Sequence, residues 1–258
     1  VRSFHMNPEA YDPLYHWHLA TAGGFSGFAA PKGLLEAGAC QHLNEVPLIL
    51  KINSSHGLGP ASQHKNLCNQ AMTATLDDAL RLGCVGIGFT IYPGSDFALD
   101  LYEELKDTIT EARHKGLFTV IWSYPRGNMI STAERALDVV SYGVHTACLL
   151  GAHIVKTKIP SDHVDSADAK TLYQDSGIPF HDTTARIKHV VQSAFNGRRL
   201  VIFSGGETKD EQELLNDVKA IRQGGGHGVI VGRNYFQRPQ KQALDLIQAT
   251  AMLLGGKN

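Results

Sequence analysis

Residues 75–122 read TLDDALRLGCVGIGFTIYPGSDFALDLYEELKDTITEARHKGLFTVIW, and this stretch decides the fold. Thr75 to Leu82 has helical spacing, with Gly83 at the position that stops a helix. Cys84-Val85-Gly86-Ile87-Gly88-Phe89 is an apolar run of strand length, its glycines marking close packing. A helix is expected over 95–115, ended by Gly116, and Leu117-Phe118-Thr119-Val120-Ile121-Trp122 is the next strand. Strands that are apolar throughout and joined by helices predict parallel pairing, with both faces of the sheet covered.

The same unit recurs on either side. Upstream lie a strand at Pro47–Ile52 (PLILKI), followed by the turn-rich Asn53-Ser54-Ser55-His56-Gly57, and another at Gly24–Ala30 (GFSGFAA). Downstream the reading is helix 131–150, strand His153–Lys158, helix 182–195, strand Leu200–Phe203, helix 210–223, strand Gly228–Gly232 and a closing helix over 241–254. A repeat of about 30 residues, in a chain close to the usual barrel length, favours a (β/α)8 TIM barrel over a doubly wound sheet. No Gly-x-Gly-x-x-Gly follows the first strands, which counts against a dinucleotide-binding fold. Seven strands are found where a barrel needs eight. Val1 to Tyr15, with Pro8 and Pro13, reads as a loop, and the chain lacks an initiator Met. The expectation is a single barrel domain over 1–258 that begins after a missing first strand.

Lys+Arg total 24 against 25 Asp+Glu, so bulk charge gives no basis for binding nucleic acid or an acidic membrane. Cys40, Cys68, Cys84 and Cys148 form no CxxC pair and sit in apolar surroundings, which predicts buried reduced thiols. With no leader pattern and no apolar run of about 18 residues, a cytoplasmic location is expected. His16 and His18 flank Trp17 and His5 is near, but positions two apart on a helix do not share a face, and His-Glu-x-x-His is absent. No metal and no cofactor is expected.

In a barrel the reacting groups stand at the C-terminal ends of strands. Lys156 and Lys158 lie two apart in an apolar strand and so share a face. A lysine in a barrel lumen must lose its proton readily or find a partner. From the pattern alone, an imine-forming lysine and a lysine paired at the rim both fit. Lys51, in another strand, is a second candidate, either as nucleophile or as a neighbouring charge that depresses an amine pKa. Trp122 and Tyr124 end the preceding strand with the same spacing, and Tyr124 fits either an acid/base or a packed rim aromatic. Ser204-Gly205-Gly206 and Gly232-Arg233 follow the strands that supply the phosphate cradle of this fold, and Arg233 adds a charged donor. Arg238 and Lys241 are left open, as contacts to a second phosphate or to a neighbouring subunit.

Taken together, Leu50-Lys51-Ile52-Asn53, Thr90-Ile91-Tyr92-Pro93-Gly94-Ser95, Trp122-Ser123-Tyr124-Pro125-Arg126-Gly127, Ile154-Val155-Lys156-Thr157-Lys158, Ser204-Gly205-Gly206 and Val231-Gly232-Arg233-Asn234 resemble the archaeal-type class I fructose-1,6-bisphosphate aldolases. The resemblance spans nearly the whole chain. It implies a barrel and Schiff-base chemistry without metal, with Lys156 as the imine lysine, Tyr124 as the acid/base and Trp122 in the active site. It also implies that Ser204, Gly205, Gly206, Gly232 and Arg233 bind phosphate. From their place in the strands, Lys51 and Lys158 are expected to be further substrate or phosphate contacts. The implied reaction is reversible cleavage of fructose 1,6-bisphosphate, serving glycolysis or gluconeogenesis, in a homo-oligomer that in this family is often a decameric ring. The family's acidic Asp-His-Gly or Asp-Gln-Gly turn after its first strand has no counterpart here. The alternatives are a related lysine-dependent transaldolase- or thiolase-type enzyme acting on a keto-phosphate, and a phospho-sugar-binding ring protein with impaired catalysis.

Overall fold

Seven strands lie side by side in one parallel sheet: β1 (Phe28–Pro31), β2 (Leu48–Lys51), β5 (Gly86–Ile91), β6 (Phe118–Ser123), β7 (Ile154–Thr157), β8 (Leu200–Ser204) and β9 (Gly228–Ile230). They are joined in that order, each to the next. The structure, a computed structural model, describes residues 3–42, 44–55, 68–127 and 133–255. Helices alternate with the strands throughout, giving seven strands of a (β/α)8 barrel. A separate antiparallel pair, β3 (Asn53–Ser54) and β4 (Ala71–Met72), sits beyond the end of β2.

Local chemistry explains the element boundaries. Helix α3 (Leu76–Arg81) starts with a capping box: Asp78 N–H donates to Thr75 Oγ1 at 3.1 Å, and Thr75 N–H donates to Asp78 Oδ2 at 3.0 Å. Helix α4 (Ala98–His114) buries Leu101, Leu105, Ile109 and Ala112 along one stripe, and Gly116 follows at φ +75°, a conformation that favours glycine. Helix α5 (Leu137–Leu149) begins six residues later than the sequence spacing suggests. Its first N–H, on Leu137, donates to His163 O at 2.8 Å, which ties the helix start to the loop after β7. Ile87, Phe89, Ile121, Val155 and Phe203 are fully buried under the helices. Each such side chain contributes about 1.5–3 kcal/mol of burial.

Several expectations are corrected. The segment read as a loop to Tyr15 holds a 3-10 turn at Pro8–Tyr11 and the start of helix α1 (Pro13–Ala22). The prolines that suggested a loop stand at first helical positions, where a missing N–H costs nothing. Among the described residues no strand precedes Phe28. Helices α2 (Lys32–His42) and α6 (Ala167–Asp175) had no clear signal in the sequence. The expected strand at 84–89 runs from Gly86 to Ile91, and that at 228–232 stops at Ile230. The expected turn at 53–57 is β3 over its first two residues, and His56 and Gly57 lie outside the described residues.

The start of the chain docks against its end. Asn7 Nδ2 donates to Phe236 O and Arg238 O, both at 2.9 Å, and the Tyr15 hydroxyl donates to Arg238 O at 2.7 Å. Tyr15, Leu19 and Ala10 share an apolar cluster with Tyr235, Leu246 and Ile247. Helix α1 thereby joins the last helices to α2 in the outer layer. Cys84 and Cys148 are buried free thiols and Cys68 is buried, while the side chain of Cys40 lies outside the described residues.

Candidate active site

Strand register brings the sequence candidates together. Lys156 on β7 pairs with Trp122 on β6, which pairs with Thr90 on β5, while Lys51 on β2 pairs with Gly88 on β5. Trp122 and Tyr124 point the same way, as spacing of two requires. Lys156 Nζ stands 5.6 Å from the centroid of the Trp122 indole and 5.7 Å from that of the Tyr124 ring. Lys51 Nζ stands 5.8 Å from the centroid of the same indole, so one ring is approached by two amines.

Burial pulls Lys156 down to about 7, with Lys51 and then Arg233 adding charge repulsion. Burial alone takes Lys51 to about 7 as well. An amine near 7 is half unprotonated at neutral pH and therefore nucleophilic. Lys158 is different in kind. Burial lowers its pKa too, but Glu134 opposes the shift, and the two form an ion pair at 3.2 Å. The structure thus separates the two lysines that the sequence pattern left equivalent: Lys158 is the paired rim lysine, and Lys156 has no ion pair among the described residues. Burial raises the Tyr124 phenol well above its usual value, against the opposing effects of a hydrogen bond with Ser204 and the charges of Arg126 and Arg233.

The two glycine loops meet. Arg233 Nη2 donates to Gly206 O at 3.0 Å. Asn234, fully buried, donates from Nδ2 to Gly205 O at 3.1 Å and Glu207 O at 2.9 Å, and accepts from Lys209 N–H at 2.8 Å. Gly206 has φ +71°, so the loop needs glycine there. The N–H of Gly205 is directed at Ile230 O at 3.4 Å, continuing the sheet. Arg238 donates to Asn234 O and Lys209 O, and Lys241 pairs with Asp245, so both residues left open in the sequence are held locally.

Sequence reasoning gave no role to Asn53, Glu134, Arg126 or Asn234. The Arg126 guanidinium lies 5.5 Å from the Tyr92 ring centroid and 5.9 Å from that of Tyr124, and 3.8 Å from Glu134. The available signal was an asparagine directly after an apolar strand or an arginine, at Asn53 and Asn234, where a buried amide satisfies backbone that has left the ladder.

A family model described as DeoC/LacD family aldolase matches residues 4–238. The chain belongs to this family. It is 33% identical over 256 residues to the class 1 fructose-bisphosphate aldolase of Thermoproteus tenax, covering 98% of this chain and 84% of that one. The Halobacterium salinarum class 1 fructose-bisphosphate aldolase is 32% identical, with 95% and 83% covered. Among solved structures, a Schiff-base-forming fructose-1,6-bisphosphate aldolase superposes with a TM-score of 0.79 at 30% identity, covering 98% of this chain and 88% of that one. An archaeal fructose-1,6-bisphosphate aldolase, its catalytic lysine covalently bound to the carbinolamine intermediate of the substrate, gives 0.78 at 30% identity, covering 99% and 88%.

Proposed function

We propose that this chain is a class I aldolase that reversibly cleaves fructose 1,6-bisphosphate to dihydroxyacetone phosphate and glyceraldehyde 3-phosphate. The observation that carries the assignment is Lys156: a partly buried amine, poised near neutrality, between the rings of Trp122 and Tyr124. Unprotonated Lys156 attacks C2 of the open-chain ketose, and loss of water leaves a protonated imine that acts as the electron sink. The C4 hydroxyl gives up its proton as the C3–C4 bond breaks, and the aldehyde departs. The enamine takes a proton at C3, and hydrolysis of the imine releases the ketone and Lys156.

Tyr124 is the proton carrier in this scheme. Its phenol is protonated in the resting site, gives that proton to the hydroxyl that leaves the carbinolamine as water, and as a phenolate beside the cationic imine takes the C4 hydroxyl proton, which it then delivers to C3. General acid–base help of this kind contributes roughly 10²–10⁴ in rate. Ser204, Gly205, Gly206, Gly232 and Arg233 hold one phosphate, with Lys51 and Lys158 contributing positive charge around the chain of the sugar. Trp122 shapes the pocket wall.

A cytoplasmic setting in glycolytic or gluconeogenic flux fits the buried free thiols of Cys84 and Cys148. Among the described residues no helix is long and apolar enough to cross a membrane. A homo-oligomer fits the exposure of Leu99, Tyr142 and Leu149 at 74, 70 and 69% on α4 and α5. Sedimentation velocity tests that assembly. The function is tested by trapping with borohydride and fructose 1,6-bisphosphate, read by peptide mass spectrometry. A reduced adduct on Lys156 is expected. An adduct on Lys51 or Lys158 would move the nucleophile, and turnover only of other keto-phosphates would move the substrate.

A further inference from the structure

Lys51 and Lys156 present two amines to one indole, and like charges so placed repel. Lys51 has a flexible four-carbon stem and no ion pair among the described residues, so something else must keep it there. The group that holds it is Asn53. Its side chain is fully buried, and both its oxygen and its nitrogen are hydrogen-bonded. Oδ1 accepts from Lys51 Nζ at 2.8 Å and from Thr90 N–H at 2.8 Å, while Nδ2 donates to Thr90 O at 3.0 Å. Lys51 Nζ also donates to the Asn53 carbonyl. Thr90 is in register with Trp122, and Trp122 with Lys156, so a single amide ties Lys51 to the strands that carry the indole and the amine.

We propose that Asn53 is a positioning residue for the reaction at Lys156, clamping Lys51 against the shared indole as a neighbour whose charge is left unneutralised. The role rests on the reading of Lys156 as the imine-forming amine. The neutrality of asparagine is the point. An aspartate would make the same contact with Lys51 and cancel its charge. The other groups facing Lys156 are Arg233 from the loop after β9 and Tyr124 after β6, and Lys158, paired with Glu134, stands 6.0 Å from the same Tyr124 ring. Lys51 itself faces Trp122 and Asn53.

The test is the pH dependence of Lys156 trapping with fructose 1,6-bisphosphate and cyanoborohydride. Asn53→Asp is nearly isosteric, and Asn53→Ala removes the clamp. In both, the acid limb of the trapping rate should move up by about one pH unit, slowing trapping roughly tenfold on the acid side. Asn53→Ala should not move the limb further in a Lys51→Met background, where the neighbouring charge is already gone. A rate that drops at every pH with the limb unmoved would reduce Asn53 to a structural strut and overturn the proposal. So would a shift that Asn53→Ala still produces without Lys51. No Lys156 adduct at any pH in the unsubstituted enzyme would overturn the imine reading itself, and the positioning role with it.

Discussion

A β-carbon on Gly88 would stand 1.8 Å from the six-membered ring of the Trp122 indole. Glycine on β5 is therefore what lets the indole lie flat across the neighbouring strand and receive Lys51 and Lys156. An indole cannot yield as the tip of a flexible chain does, so Gly88→Ala must turn or displace it. The fold should survive, because the strand conformation suits alanine. Activity should fall by roughly tenfold or more, since misplacement near 1 Å is costly in rate. Near-ultraviolet circular dichroism on Trp122 together with kcat checks both halves of this expectation.

Asn234 joins the loop after β8 to the turn after β9 through three hydrogen bonds. Asn234→Ala removes the partner of two carbonyls and one N–H that are part-buried, at a cost of about 2–4 kcal/mol. Loosening the loops should also raise KM for the bisphosphate more than it lowers kcat. Urea denaturation reads the first effect and steady-state kinetics the second.

Lys156 and Lys51 are held near 7 in the fold, against an ordinary value of 10.5. Between those values the unfolded chain binds more protons than the native one, so stability rises with pH across that window. The penalty for burying the charged amines is full below 7 and fades towards 10. Lys156→Met should consequently be more stable than the parent at pH 6, and the difference should shrink as pH approaches 10. Thermal melts over that range measure it, and a gap independent of pH would contradict the burial argument.

His153 and His227 use the same device at the opposite ends of the strands. His153 Nδ1 accepts from Thr119 N–H at 3.1 Å, and His227 Nδ1 accepts from Val201 N–H at 3.1 Å. Protonation of His153 destroys its acceptor. For His153, burial, Arg113 and Arg199 lower the folded pKa below 6.5, so stability is lost as pH falls through the unfolded value towards the folded one. His153→Asn offers Oδ1 in place of Nδ1 and should flatten that acid-side loss of stability between pH 7 and 5.

Sequence alone determined the alternation of helix and apolar strand, because a strand buried on both faces and a helix stopped by glycine leave period and punctuation in the residue order. It placed Lys156, Lys158, Trp122 and Tyr124 at strand ends facing one way, because a strand alternates strictly. It put His16 and His18 on a helix but read the start of that helix, from Pro13 to Tyr15, as loop, and it missed the late start of α5, which answers to His163 far along the chain. The resemblance singled out Lys156, but residue spacing did not, and only the tertiary structure gives the physical difference between the two lysines. Lys156 and Lys158 are alike in spacing, and they part only because Glu134 reaches one of them while the indole, Lys51 and Arg233 surround the other. Partnership across strands is a matter of distance in space, and the order of residues along one strand does not carry it.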